Sequence, residues 1–100
     1  MLTVMREIII DCTGVTTADE LWQRYVDAAK PEDASMFGRN LDAFWDAVEG
    51  GGPGWPGEVN LTFKHSDQLS TLRTPGGNGS VLEGLRCIAA GVSALRIKLA

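Results

Sequence analysis

The sequence predicts an α/β fold in which three parallel strands are joined by helical crossovers and packed by those helices. Short β-branched or alternating runs stand at the start, middle and end of the chain, and between them apolar residues recur at helical spacing. Capping signatures at the heads of the helical stretches are the third observation.

Residues 5–11 carry Ile8, Ile9 and Ile10 in succession, which reads as a strand buried on both faces and therefore as part of a parallel sheet. Thr17 and Glu20 form a capping box, after which Leu21, Trp22, Tyr25, Val26 and Ala29 predict a helix over 18–29, ending before Pro31. Residues 31–38 read as a connection. Asn40 then caps a second helix whose inward stripe is Leu41, Phe44, Trp45 and Val48, and the glycine-rich run 50–57 stops it. Residues 58–64 alternate as a second strand, with Val59, Leu61 and Phe63 on one face and Asn60 and Thr62 on the other. Ser66 caps a short helix, and residues 74–79 form a turn-rich loop. Ser80 with Glu83 opens a last helix that Gly91 stops, and Leu95, Ile97 and Leu99 alternate with Arg96 and Lys98 as the closing strand.

At 100 residues with 44% apolar and 22% charged content, the chain reads as one domain over 1–100, large enough to fold without metal or disulfide staples. Cys12 and Cys87 each adjoin an apolar run and read as buried free thiols, with a disulfide between them as the alternative. His65 is the only histidine and lies far from both along the chain, so zinc has nothing to bind and no cofactor is expected. Arg6 and Glu7 interrupt the N-terminal apolar stretch, and no run approaches the ~20 residues that span a bilayer. A cytoplasmic protein without membrane contact is the expectation. Thirteen acidic against nine basic residues, a net charge of −4, would repel a phosphate backbone, which argues against nucleic acid and for a basic protein partner.

Three segments invite a chemical reading. Gly76, Gly77 and Gly79 precede a helix, yet the run lacks the Lys-Ser/Thr ending of a P-loop, and Leu82 stands where a dinucleotide fingerprint needs its third glycine. Turn chemistry accounts for that loop. His65 and Ser66 are sequence neighbours with no surrounding nucleophile motif, so they make no triad. The second helix is the informative one. Asp42, Asp46 and Glu49 gather on one flank, no lysine or arginine occurs between Asn40 and Gly57, and Ala43 and Ala47 keep the neighbouring surface low. Carboxylates projecting the same way from one helix do not flank a scissile bond from two sides, so they point to binding rather than glycosidase catalysis.

The run Phe37-Gly38-Arg39-Asn40-Leu41-Asp42-Ala43-Phe44-Trp45-Asp46-Ala47-Val48 resembles the signature of the barstar family of ribonuclease inhibitors. The order and sizes of the expected elements resemble that family across nearly the whole chain. The resemblance implies a three-stranded parallel sheet packed by helices, no enzymatic activity, and a second helix that plugs the active site of a secreted bacterial guanyl-specific ribonuclease in a one-to-one complex. It implies that Asp46 is the central carboxylate at the enzyme's phosphate site and Asp42 its companion. Gly38, Asn40, Trp45, Glu49 and Gly50 then fall at surrounding contact positions.

Several positions depart from the family pattern. Met36 occupies a contact position that carries a tyrosine in barstar, Cys87 replaces an acidic contact, and Gly51 replaces an aromatic one in a longer, glycine-rich loop. The preserved acids and altered rim imply the same mechanism against a barnase-type enzyme or a somewhat different ribonuclease, of the ribonuclease Sa type. The resemblance also implies a cis bond between Trp55 and Pro56. The alternative function is a binding module of the same fold aimed at another basic protein, such as a different toxin or a regulatory partner.

Overall fold

A computed structural model describes residues 6–74 and 79–100. Strands β1 (Arg6–Asp11), β2 (Val59–Lys64) and β3 (Arg96–Leu99) form one sheet in the order β1-β2-β3, and both pairings are parallel. Helix α1 (Ala18–Ala29) and helix α2 (Leu41–Gly50) lie between β1 and β2, and helix α3 (Val81–Gly91) lies between β2 and β3. This is the expected α/β architecture. The beginning of the first expected strand, at Met5, and residues 75–78 of the glycine loop fall outside the described residues.

Registry stacks the apolar side chains of the strands on one face. Ile8 stands opposite Leu61 and Leu61 opposite Ile97, with Ile10, Phe63 and Leu99 one step further along. These residues meet Leu21, Trp22 and Tyr25 of α1, Phe44 and Val48 of α2, and Leu85 and Ile88 of α3 in a common core.

The opposite face of the sheet is not covered as the isoleucine run predicts. Ile9 is 54% exposed, and Glu7, Arg96 and Lys98 stand on the same outer side. The sheet order supplies the reason. Two right-handed crossovers that progress in the same direction put every helix on one face, so the second face of a three-stranded sheet stays open. The run Ile8-Ile9-Ile10 therefore reflects β propensity as well as burial.

Capping follows the sequence closely. The Glu20 amide donates to Thr17 Oγ1 at 3.1 Å, the Ala43 amide to Asn40 Oδ1 at 2.7 Å, and the Glu83 amide to Ser80 Oγ at 3.2 Å. Three local expectations change. Residues Ser66–Thr71 wind as a 3₁₀ helix, capped by His65 in the left-handed region at φ 57°. Gly91 does not stop α3 but is its last helical residue, and Val92 ends the helix with an ordinary φ of −70°. The Trp55–Pro56 bond is trans; positive φ at Gly54 (98°) and Gly57 (93°) turns the chain on either side of it.

Candidate functional site: the acidic face of α2

Helix α2 is presented by an aromatic cluster beneath it. The Phe44 ring lies 5.4 Å from Trp22, 5.2 Å from Tyr25 and 5.9 Å from Phe63, centroid to centroid, so one side chain ties α2 to both α1 and β2. Phe37, buried just before the helix, stacks edge-on against Trp22 at 5.7 Å and fixes the approach of the chain. The inward stripe is Phe44, Ala47 and Val48, each fully buried, with Leu41 half-buried. Two expectations are corrected here. Ala47 belongs to the core rather than to the acidic surface, and Trp45 lies at the edge, 37% exposed.

Trp45 leans over α3. A Cβ on Gly91 would stand 3.5 Å from its Cη2, and the ring borders a shallow groove of about 380 Å³ with Leu41, Asp42, Gly84, Cys87 and Ile88. Cys87 is free and exposed in this groove, whereas Cys12 is free and buried. The expectation of two buried thiols thus holds for Cys12 alone. With Leu85 and Ile88 directed inward, Cys87 falls on the outer side of α3. Burial pushes the Cys12 thiol up to about 11, with a smaller contribution from Asp11.

Asp42 and Asp46 lie one turn apart on α2, both exposed. Among the described residues neither carboxylate has a hydrogen-bond or ion-pair partner, and the ion pair present is Arg39 with Asp19. The Asp46 carbonyl is engaged at the helix end: it accepts from the amides of Gly51 and Gly52, and Gly51 adopts φ 71° to close the helix. Fixed backbone therefore carries free side chains.

Glu49 is placed differently. It is half-buried, and its carboxylate reaches from α2 to the turn between α3 and β3. Oε1 accepts from the Ser93 amide at 2.8 Å, the Ser93 hydroxyl at 3.0 Å and the Ala94 amide at 3.2 Å, and Oε2 accepts from the same hydroxyl at 2.9 Å. The Ser93 amide, more than any other group, holds the Glu49 carboxyl below its ordinary value.

At the other end of α2, Gly38, Arg39 and Asn40 form a fixed lead-in. A Cβ on Gly38 would come within 2.9 Å of Ala43 Cβ, which explains the glycine. Asn40 caps the helix with Oδ1 while its amide nitrogen donates to the Gly38 carbonyl at 3.3 Å. Arg39 holds φ 55°, an uncommon conformation for a residue with a side chain. Its Nε donates to Asp19 Oδ1 at 2.9 Å and its Nη2 to the Asp19 carbonyl at 3.1 Å.

Met36, 71% exposed, stands at the outer margin of this lead-in, and Gly50 is exposed at the far end of the helix. The α2 to β2 loop is held from beneath. The Tyr25 hydroxyl donates to the Gly54 carbonyl at 2.7 Å, Asp33 Oδ1 accepts from the Gly54 amide at 2.9 Å, and the Phe37 ring leaves no room for a Cβ on Gly54.

Asp42, Asp46, Asn40, Gly38, Trp45 and Gly50 are thus gathered along one helix and its lead-in, with Met36 at the margin and Glu49 turned toward Ser93. The partners Asp19, Ser93, Tyr25 and Asp33 carry no local signal, because each acts on a residue about 20 or more positions away. Among the described residues no group of His, Cys, Asp and Glu side chains could hold a metal ion, and no helix is long and apolar enough to cross a membrane.

A short parallel sheet with its helices on one face, and two unpaired carboxylates on one of those helices, defines a small α/β protein of the helix-presenting kind. The model of the family described as barstar (barnase inhibitor) matches residues 5–94, so the chain belongs to the barstar family. None of the curated proteins compared with it matches.

Proposed function

We propose that this protein is a cytoplasmic, single-domain inhibitor of a secreted bacterial guanyl-specific ribonuclease, whose active site it blocks with the acidic flank of α2 in a one-to-one complex. The observation that carries the reading is the pair Asp42 and Asp46, exposed, unpaired and one turn apart on a helix anchored by Phe44. Like-charged neighbours at this spacing cost an isolated helix a few tenths of a kcal/mol, and no lysine or arginine on α2 offsets them. A cationic cleft would.

Asp46 takes the position of the substrate phosphate among the enzyme's cationic groups. Asp42 binds beside it. Asn40, Gly38, Trp45, Gly50 and Met36 shape the rim, and Glu49 contributes at the margin. Inhibition needs no cofactor and no chemistry of the inhibitor's own: charge-assisted hydrogen bonds replace those of water and exclude RNA from the site.

Titrating a barnase-type ribonuclease with the protein tests this. A sharp endpoint near one-to-one is expected. Unaffected activity across barnase-like enzymes would overturn the reading in favour of a different basic partner.

A further inference from the structure

Helix α2 is anchored at its centre by Phe44, and a separate side-chain contact holds each end. At the N-terminal end, Arg39 reaches to α1 and grips one residue twice, through the Asp19 carboxylate and the Asp19 carbonyl. At the C-terminal end, Glu49 reaches to the turn after α3 and is gripped by two amides and a hydroxyl. Both contacts join residues distant in sequence, and both lie just outside the stretch that carries Asp42 and Asp46.

We infer that Arg39 and Glu49 are positioning residues: two latches, Arg39 to Asp19 and Glu49 to Ser93 and Ala94, hold α2 so that its two free carboxylates are already in place for a partner. The inference rests on the proposed docking of α2 and gives Glu49 a positioning role beyond its place at the margin of the contact. A fixed helix loses less freedom on binding, and that saving appears in the stability of the complex.

Arg39 illustrates the argument. Left-handed backbone is costly for a residue with a Cβ, and surrounding contacts must offset that cost. The double grip on Asp19 contributes to that offset, and the same residue leads directly into the Asn40 cap. At the other end both amides of the latch converge on Oε1 of Glu49, and the single hydrogen of the Ser93 hydroxyl lies between its two oxygens, which fixes the direction of the carboxylate from the turn after α3.

Asp19→Ala and Ser93→Ala take the carboxylate and the hydroxyl from the far side of the latches without altering α2, while the Asp19 carbonyl and the Ser93 and Ala94 amides stay in place; Arg39→Ala and Glu49→Ala release each latch completely. Asp19→Ala and Ser93→Ala are combined in double-mutant cycles with Arg39→Ala and Glu49→Ala, using inhibition of a barnase-type ribonuclease under conditions where every variant is folded. Asp19→Ala and Ser93→Ala are each expected to raise the dissociation rate about two- to five-fold, the span of exposed polar pairs, with association changed less. Each is expected to be non-additive with its latch partner. If Arg39→Ala and Glu49→Ala weaken binding while the backbone of α2 in the free protein stays as protected as in wild type, the two residues act as contacts alone and the inference is wrong.

Amide hydrogen exchange in the free protein provides a second readout that needs no ribonuclease. Arg39→Ala should speed exchange around residues 38–43 and Glu49→Ala around residues 46–50. Unchanged exchange in both removes the latches even if the wild type inhibits. A wild type that fails to inhibit, with exchange changed as described, defeats the docking proposal and leaves the latches standing.

Discussion

Replacing Asp46 by alanine is expected to move binding and folding in opposite directions, because its carboxylate is exposed and unpaired in the free protein and meets cations only in the proposed complex. Inhibition should weaken by at least several kcal/mol, in the upper part of the range for interface truncations, a range that itself includes barstar; Asp42→Ala should follow and Glu49→Ala cost less. The free protein should be unchanged or stabilised by up to about 1 kcal/mol, since repulsion with Asp42 is relieved and a better helix former introduced. Inhibition constants and urea unfolding of the three variants measure both effects, and Asp46→Ala inhibiting like wild type would remove the mechanism.

Glu49 behaves differently on acidification. Its folded-state value is depressed, so its contribution to stability is complete above the ordinary value of 4.5 and is lost as pH falls from there through the lowered one. Urea midpoints measured across that window should fall less steeply for Glu49→Gln than for wild type. The two thiols also separate: Cys87, exposed, should react with a thiol reagent in the native protein, while Cys12, buried and with its thiolate disfavoured, should react only after unfolding. Two equivalents of label on the native protein would contradict that assignment.

Two glycines beside α2 have opposite expectations although both adjoin an aromatic ring. Gly54→Ala should destabilise by about 2 kcal/mol or more, because φ of 98° strains a residue with a Cβ and that Cβ would sit 2.7 Å from Phe37 Cδ1. Gly91→Ala should stabilise by up to about 1 kcal/mol, because its backbone is helical and its Cβ would meet Trp45 at an ordinary 3.5 Å. Thermal unfolding of the pair checks both signs.

The same elements show what was legible in the sequence. Helix α1 and the caps of α2 and α3 could be read because the cap and its amide partner are three residues apart. Trp45, Ala47 and Cys87 could not be placed that way, since periodicity assigns a residue to a face but leaves the width of the buried stripe to the neighbouring helix. The acids of the candidate site stood out by their lack of local partners, and the groups that hold the site in place are distant in the chain and left no pattern.

For the whole molecule, a net charge of −4 and an unpaired acidic flank imply long-range attraction to a basic partner. Raising ionic strength should slow association with the ribonuclease far more than it speeds dissociation, as stopped-flow mixing would show. An association rate indifferent to salt would count against electrostatic docking. The one-sided sheet marked the limit of sequence reading at this scale: three consecutive isoleucines do not reveal whether a strand is covered twice, whereas strand order and crossover hand do. The hydroxyl of Tyr25, bound to the Gly54 carbonyl, ties α1 to the loop that follows α2, and burial pushes its ionisation well above the usual phenol value. As the chain has a single tyrosine, phenolate absorbance during an alkaline titration becomes an optical signal for the breakdown of this packing, free of any background from a second phenol. The molecule thus carries its own unfolding indicator, readable without a label.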